Sequence, residues 1–158
     1  MKYAKIYIIL FISFQVSAAT AYSHSSETKT KTDNSDQILI IYQKAEQYIE
    51  DGKFKKSLKL LTALTKRKDL ASKGADIYNL LGFNYSKISK PDLDKSYAAY
   101  IMALELDPDH IVAHKYLGEL YLMHGEKDKA LEVLMKIEIL VGTSGEEYQE
   151  LKKAISQL

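Results

Sequence analysis

The chain has no cysteine, no tryptophan, two prolines and seven glycines in 158 residues. Without cysteine there is no disulfide framework, no thiolate metal site and no lipid anchor through an N-terminal cysteine. The shortage of proline and glycine argues against an all-β fold, which needs frequent turns. No apolar run reaches the roughly 20 residues that a membrane-spanning helix needs. What is present is ordinary for one globular domain, with 46% hydrophobic and 27% charged residues, and tyrosine is abundant at 12.

Lys2 and Lys5 precede an apolar run from Ile6 to Val16, broken only by Ser13 and Gln15. The small residues Ser17, Ala18, Ala19, Thr20 and Ala21 follow. This three-part order predicts a secretory signal peptide over residues 1–21, cleaved after Ala18 or Ala21. The protein would then be periplasmic or secreted, with no stable membrane insertion after cleavage. The alternative is an uncleaved N-terminal anchor. Residues 1–21 hold two of the 22 basic residues and none of the 21 acidic ones, so the mature chain is close to neutral. That balance leaves no electrostatic footprint for nucleic acid.

Residues 22–35 are polar with almost nothing to bury, which predicts a disordered linker. From Asp36 onward apolar residues recur at spacings of three and four, the helical period. Stop and start signals fall at Asp51-Gly52, Lys73-Gly74, Lys90-Pro91, Asp107-Pro108, His124-Gly125 and Gly142 to Gly145. They predict helices over 36–50, 53–67, 75–89, 92–106, 111–124, 127–140 and 145–157, that is, three hairpins and a final single helix.

The hairpins repeat one another. Tyr78, Leu81, Gly82 and Tyr85 have the same spacing as His114, Leu117, Gly118 and Tyr121. Ser96, Tyr100 and Ala103 then correspond to Ala130, Leu134 and Ile137. Ala45 and Tyr48 fill the same places in a degenerate first copy. Small residues at Ala45, Gly82 and Gly118, faced by Ser96 and Ala130, are what two closely packed helices require. The second copy carries about two extra residues near Lys90-Pro91, and about three near Lys73-Gly74 separate it from the first.

On these residues the sequence resembles the tetratricopeptide repeat family over about residues 38–140, in the pattern W-x2-L-G-x2-Y, then A-x3-F, then P. The resemblance implies an all-α fold: a right-handed α-solenoid over 36–158, with repeats about 38–71, 75–110 and 111–144 and a capping helix over 145–157. Tyr148, Leu151 and Ile155 form the stripe of that cap, with Ser144 or Thr143 as candidate caps of its start. Its ending also looks like that of small exported bacterial repeat proteins. Those tend to carry two cysteines just before a Glu-Glu-Tyr run, near the places where Val141 and Gly145 stand here, so any such disulfide is missing.

The resemblance further implies a concave groove lined by first-helix positions. These are Leu39, Tyr42, Glu46, Ile49 and Glu50 in the first repeat, and Asp76, Asn79, Phe83, Ser86 and Lys87 in the second. The third supplies Val112, Lys115, Glu119, Leu122 and Met123. Of these, Tyr42, Phe83, Leu122 and Met123 would make apolar contacts, Asn79, Lys87 and Lys115 would donate hydrogen bonds, and Glu46 and Glu119 would oppose an acidic ligand. Some family members grip a C-terminal carboxylate with lysines and asparagines, a set that Asn79 and Lys115 match in part.

Signals for chemistry are weak. His110 and His114 are four apart, but His110 falls in a turn and His114 takes a packing position, so no metal site is expected. There is no phosphate loop and no nucleophile motif. Asn84-Tyr85-Ser86 matches a glycosylation acceptor but lies mid-helix. The sequence therefore predicts a non-catalytic module without cofactor, whose partner is a protein or peptide. Assembly through exposed apolar ends at Ile38, Ile40 and Ile41 is the alternative, and an enzyme is the remote one.

Overall fold

A computed structural model describes residues 26–67 and 70–157. The expected signal peptide, residues 22–25 of the expected linker and Leu158 lie outside the described residues. The helices are α1 (Ser26–Glu50), α2 (Phe54–Leu64), α3 (Gly74–Lys87), α4 (Leu93–Leu106), α5 (Ile111–Met123), α6 (Lys127–Val141) and α7 (Glu146–Ser156), with a short 3-10 turn at Ala71–Lys73 before α3. No strand occurs among the described residues, and none of their helices is long and apolar enough to cross a membrane.

The first and third hairpin turns share one device. The carbonyl oxygens of Tyr48 and Tyr121 accept the amides of Lys53 and Glu126, five residues on, at 2.7 and 2.8 Å. This closure needs a left-handed residue in between, and Gly52 and Gly125 supply it at φ 68° and 76°. In the second hairpin the equivalent carbonyl of Tyr85 accepts from Asp92, seven residues on, at 3.0 Å. The two extra residues around Lys90-Pro91 widen that turn. Lys53, Asp92 and Glu126 each then stand at the N-cap of the second helix, and Asp92 also accepts from the Lys95 amide at 3.1 Å.

Packing follows the repeat. Ile38, Tyr42, Ala45, Leu61, Leu64, Ile77 and Leu81 form a first core with Ala99. Tyr100, Leu117 and Leu120 form the middle one. Ala130, Val133, Leu134, Ile137, Tyr148, Leu151 and Ile155 form the last. Each fully buried leucine, such as Leu61 or Leu151, contributes roughly 1.5–3 kcal/mol. Along one side α1, α3, α5 and α7 touch in succession, whereas α2, α4 and α6 reach the next pair through its first helix. The molecule is therefore a helical repeat solenoid, with the first helices as its inner wall.

The small residues act as expected, with one change of partner. A Cβ on Gly82 would lie 2.5–2.8 Å from the Tyr100 ring. A Cβ on Gly118 would meet Leu151 of α7 at 2.6 Å and Val133 of α6 at 3.3 Å. Gly118 thus admits the capping helix more than it faces Ala130, because α7 occupies the place that the first helix of a further repeat would take.

Three local expectations are corrected. Helix α1 starts at Ser26, so residues 26–35 are helical; no glycine or proline lies there to stop a helix held by the packed turns beyond Asp36. The residues Asn34 to Gln37 are still exposed, and Ile38 is the first of α1 seen to be buried. The apolar N-terminal face is smaller than expected, since Ile38 and part of Ile41 belong to the core, leaving Ile40 with Leu39 exposed. Finally, Gly145 is the N-cap of α7 and makes no side-chain cap, while the Gln149 side chain donates to the Thr143 carbonyl.

Candidate partner-binding groove

The centre of the inner wall is α3. Asp76, Asn79, Phe83 and Lys87 follow one another at spacings of three and four, so they form one stripe. Phe83 is half-buried between two rings, with Phe54 at 6.2 Å edge-on and Tyr116 at 5.1 Å. Tyr116 in turn stacks on Tyr100 at 6.0 Å. An aromatic shelf thus runs from the start of α2 across α3 to α5. The family-derived positions missed Phe54 and Tyr116. Tyr116 follows the named Lys115 directly, and Phe54 belongs to a second helix, where no groove position was sought.

The charges on this wall are largely committed to one another. Lys73 Nζ pairs with Asp76 Oδ2 at 2.8 Å and lies over the Tyr42 ring at 5.1 Å. The other Asp76 oxygen is 3.1 Å from His110 Nε2. The Ala113 amide donates to His110 Nδ1 at 3.1 Å, so in the neutral ring Nε2 carries the proton and donates to Asp76. One histidine thereby caps α5 and ties it to α3. His114 Nε2 instead meets the Pro108 carbonyl at 2.8 Å.

Lys115, expected as an open donor, is buried. Its Nζ pairs with Glu150 Oε2 of α7 at 2.6 Å and lies 4.4 Å from the centre of the Tyr116 ring. It is a strut between α5 and α7. Lys87 is exposed, lies over Phe83 at 5.4 Å, and makes no ion pair with a described residue.

Glu46 and Glu119 of this wall make no ion pair with a described residue. Burial raises the pKa of Glu46, with Asp76 and Glu50 adding to the rise and Tyr42 and Lys73 opposing it. Burial likewise raises that of Glu119, against the pull of Lys115 and Lys87. Tyr42 is buried in the first core, and burial, then Glu46, push its phenol far above its usual value. Asn79 is 5% exposed, and its Oδ1 has no hydrogen-bond partner. Leu122 packs on the last core, and Met123 is exposed. The wall therefore brings Glu46, Phe83, Lys87 and Glu119 to one side, while Tyr42, Asn79, Lys115 and Leu122, expected to line the groove, are buried or half-buried and serve mainly as packing.

Asn84, the possible glycosylation acceptor, is fully buried and its amide donates to the Leu80 carbonyl at 2.7 Å. No enzyme can reach it in the folded chain.

The structure is similar to the translocator chaperone SycD of type III secretion in Yersinia enterocolitica, with a TM-score of 0.67 and 20% identity over 85% of this chain and 90% of that one. Residues 99–132, from the middle of α4 into α6, match the tetratricopeptide repeat sequence model. The fold is that of a tetratricopeptide repeat domain. The TPR2B domain of yeast Sti1, in complex with Hsp70, is similar with a TM-score of 0.64 and 22% identity, over 76% of this chain and 96% of that one. The first tetratricopeptide domain of Spaghetti (RPAP3), bound to the HSP90 peptide SRMEEVD, is similar with a TM-score of 0.63 and 19% identity, over 77% and 94%. SycD has also been seen with a peptide of the translocator YopD. No curated protein sequence matches the chain. The sequence match and these neighbours support the tetratricopeptide repeat family.

Proposed function

We propose that this protein is a non-catalytic binding module whose inner wall holds a peptide segment of a partner protein, and that residues 1–21 direct its export to the periplasm or out of the cell. The observation that carries the reading is Phe83, half-buried between Phe54 and Tyr116 on the first-helix row. A peptide brings apolar side chains that such an aromatic shelf can hold. Similar domains are seen with peptides in place, and the tetratricopeptide fold is a common support for such binding.

A pull-down from an envelope extract with wild type and with the double variant Phe83→Ala/Lys87→Ala tests the groove. Loss of a partner from the variant supports it, and retention of every partner refutes it. Mass analysis of the protein recovered from expressing cells tests export, since the mature chain should begin at Ala19 or Tyr22.

The second reading, assembly into a larger complex, draws on α6. Leu131, Met135 and Ile139 follow one another at four-residue spacing and are 40%, 57% and 80% exposed. Sedimentation at two concentrations separates the readings, because a peptide-binding module stays one size.

A further inference from the structure

We propose that the outward face of α2 docks on an anionic lipid surface, which the protein touches without inserting, and that this contact is separate from the peptide groove. From Lys53 to Arg67 the chain carries six basic residues and no acidic one. Lys55 and Lys59 lie one turn apart on the side of α2 opposite the buried Ser57, Leu61 and Leu64, and Lys56 stands beside them. Lys66 follows in the turn after the helix. These four are exposed and make no ion pair with a described residue. On α4 and α6, by contrast, Lys95 is paired with Asp92, Lys129 with Glu126 and Lys136 with Asp109. Asp51, the acid next to the patch in the chain, is taken up by Lys53 at 2.7 Å. Lys44 of α1 extends the patch, since its Nζ and that of Lys56 both lie over the Tyr48 ring, at 5.1 and 5.7 Å.

The composition of this face favours lipid over protein. Protein interfaces are rich in aromatic residues, methionine and arginine and poor in lysine. None of the exposed large apolar residues lies on α2, whereas α6 exposes Leu131, Met135 and Ile139. A lysine row with no apolar centre suits diffuse negative charge such as lipid phosphates. Ammonium groups act as point charges that can follow mobile headgroups, where guanidinium forks would ask for one fixed geometry. The opposite half of the chain orients the contact. Residues 92–158 hold 13 acidic and seven basic residues, so an anionic surface attracts the α2 end and repels the other.

Flotation of the protein purified from expressing cells, with vesicles of phosphatidylcholine alone or mixed with phosphatidylglycerol, tests the assignment. Wild type should bind the anionic vesicles more tightly than the neutral ones, and added salt should weaken the difference. Each lysine near such a surface is worth roughly fivefold in affinity, so Lys55→Gln/Lys59→Gln/Lys66→Gln should bind about a hundredfold more weakly. The control Lys127→Gln/Lys152→Gln/Lys153→Gln removes the same charge from the other end and should stay within about threefold of wild type. Circular dichroism checks that both variants fold, and any contribution of residues 1–21 is common to all and cancels in the comparison. A first variant that binds like wild type, a control that loses as much, or wild type that ignores anionic vesicles overturns the proposal. Capture of an acidic protein through the three lysines, without vesicle binding, would assign the face to a protein and overturn it too. Phe83→Ala should bind vesicles as wild type does, so failure here and failure of the groove are read separately.

Discussion

The Ser96 hydroxyl donates to the carbonyl oxygen of Gly82 across 2.8 Å, in a fully buried contact between the two helices of the second hairpin. Gly82 can come so close because it carries no side chain, and Tyr100, one turn along from Ser96, fills the space that a Cβ would need. The pair ties a repeat signature legible in sequence to the packing that generates the wall.

Gly82→Ala should therefore destabilise the protein. The new methyl gains about 1 kcal/mol of helix propensity, but it enters the Tyr100 ring, and overpacking costs about 1–3 kcal/mol. Gly118→Ala should cost less, since it meets the tip of the Leu151 side chain instead of a ring. Urea unfolding of the two variants should give the lower midpoint for Gly82→Ala. The reverse order would mean that the hairpin contact is not the tighter one.

Ser96→Ala should cost about 0.5–1.5 kcal/mol, the net contribution of one buried hydrogen bond. Ser96→Val loses the bond and adds bulk, and should cost more. A denaturation series that ranks Ala as the worse replacement would contradict the geometry.

Much of the fold was readable because its rules are local. Small residues at Ala45, Gly82 and Gly118 mark close helix approach, and Gly52 and Gly125 mark turns that need a left-handed residue. The candidate site was less readable, because it depends on pairs far apart in the chain. Lys115 and Glu150 are 35 residues apart, and so nothing local shows that the lysine is buried as a strut and not offered to a ligand. Asp76 and His110, 34 apart, are the same case. The helical start of α1 was missed because low hydrophobicity removes the reason to pack without removing the ability to continue a helix.

The Lys115–Glu150 strut predicts that Glu150→Ala loosens α7. Lys115 would keep its charge in a buried place. Glu150 itself is 42% exposed, so water limits the penalty to about 1–2 kcal/mol. Hydrogen exchange should report faster exchange in α7 than in α3. Equal protection of α7 in variant and wild type would remove the strut from the account.

The raised pKa of Glu119 predicts a pH effect of definite sign. A carboxyl group that is harder to ionise folded than unfolded binds more protons in the native state over that window. Its neutral form favours folding, and this stability is lost as pH rises through the native pKa. Glu119→Gln should then be more stable than wild type at pH 7, and the gain should vanish below about 4.5, the group's ordinary value. Paired melts at pH 7 and pH 4 check it. A variant less stable at pH 7 would show that Lys115 and Lys87 outweigh burial.

The central claim is that a partner lies along the row of first helices and not on the outer face. A photo-crosslinking amino acid placed at Phe83, and separately at Met135 on α6, tests this in expressing cells. The account predicts a partner band from position 83 that weakens when Lys87→Ala is added, and none from position 135. A partner captured from position 135 alone would contradict it.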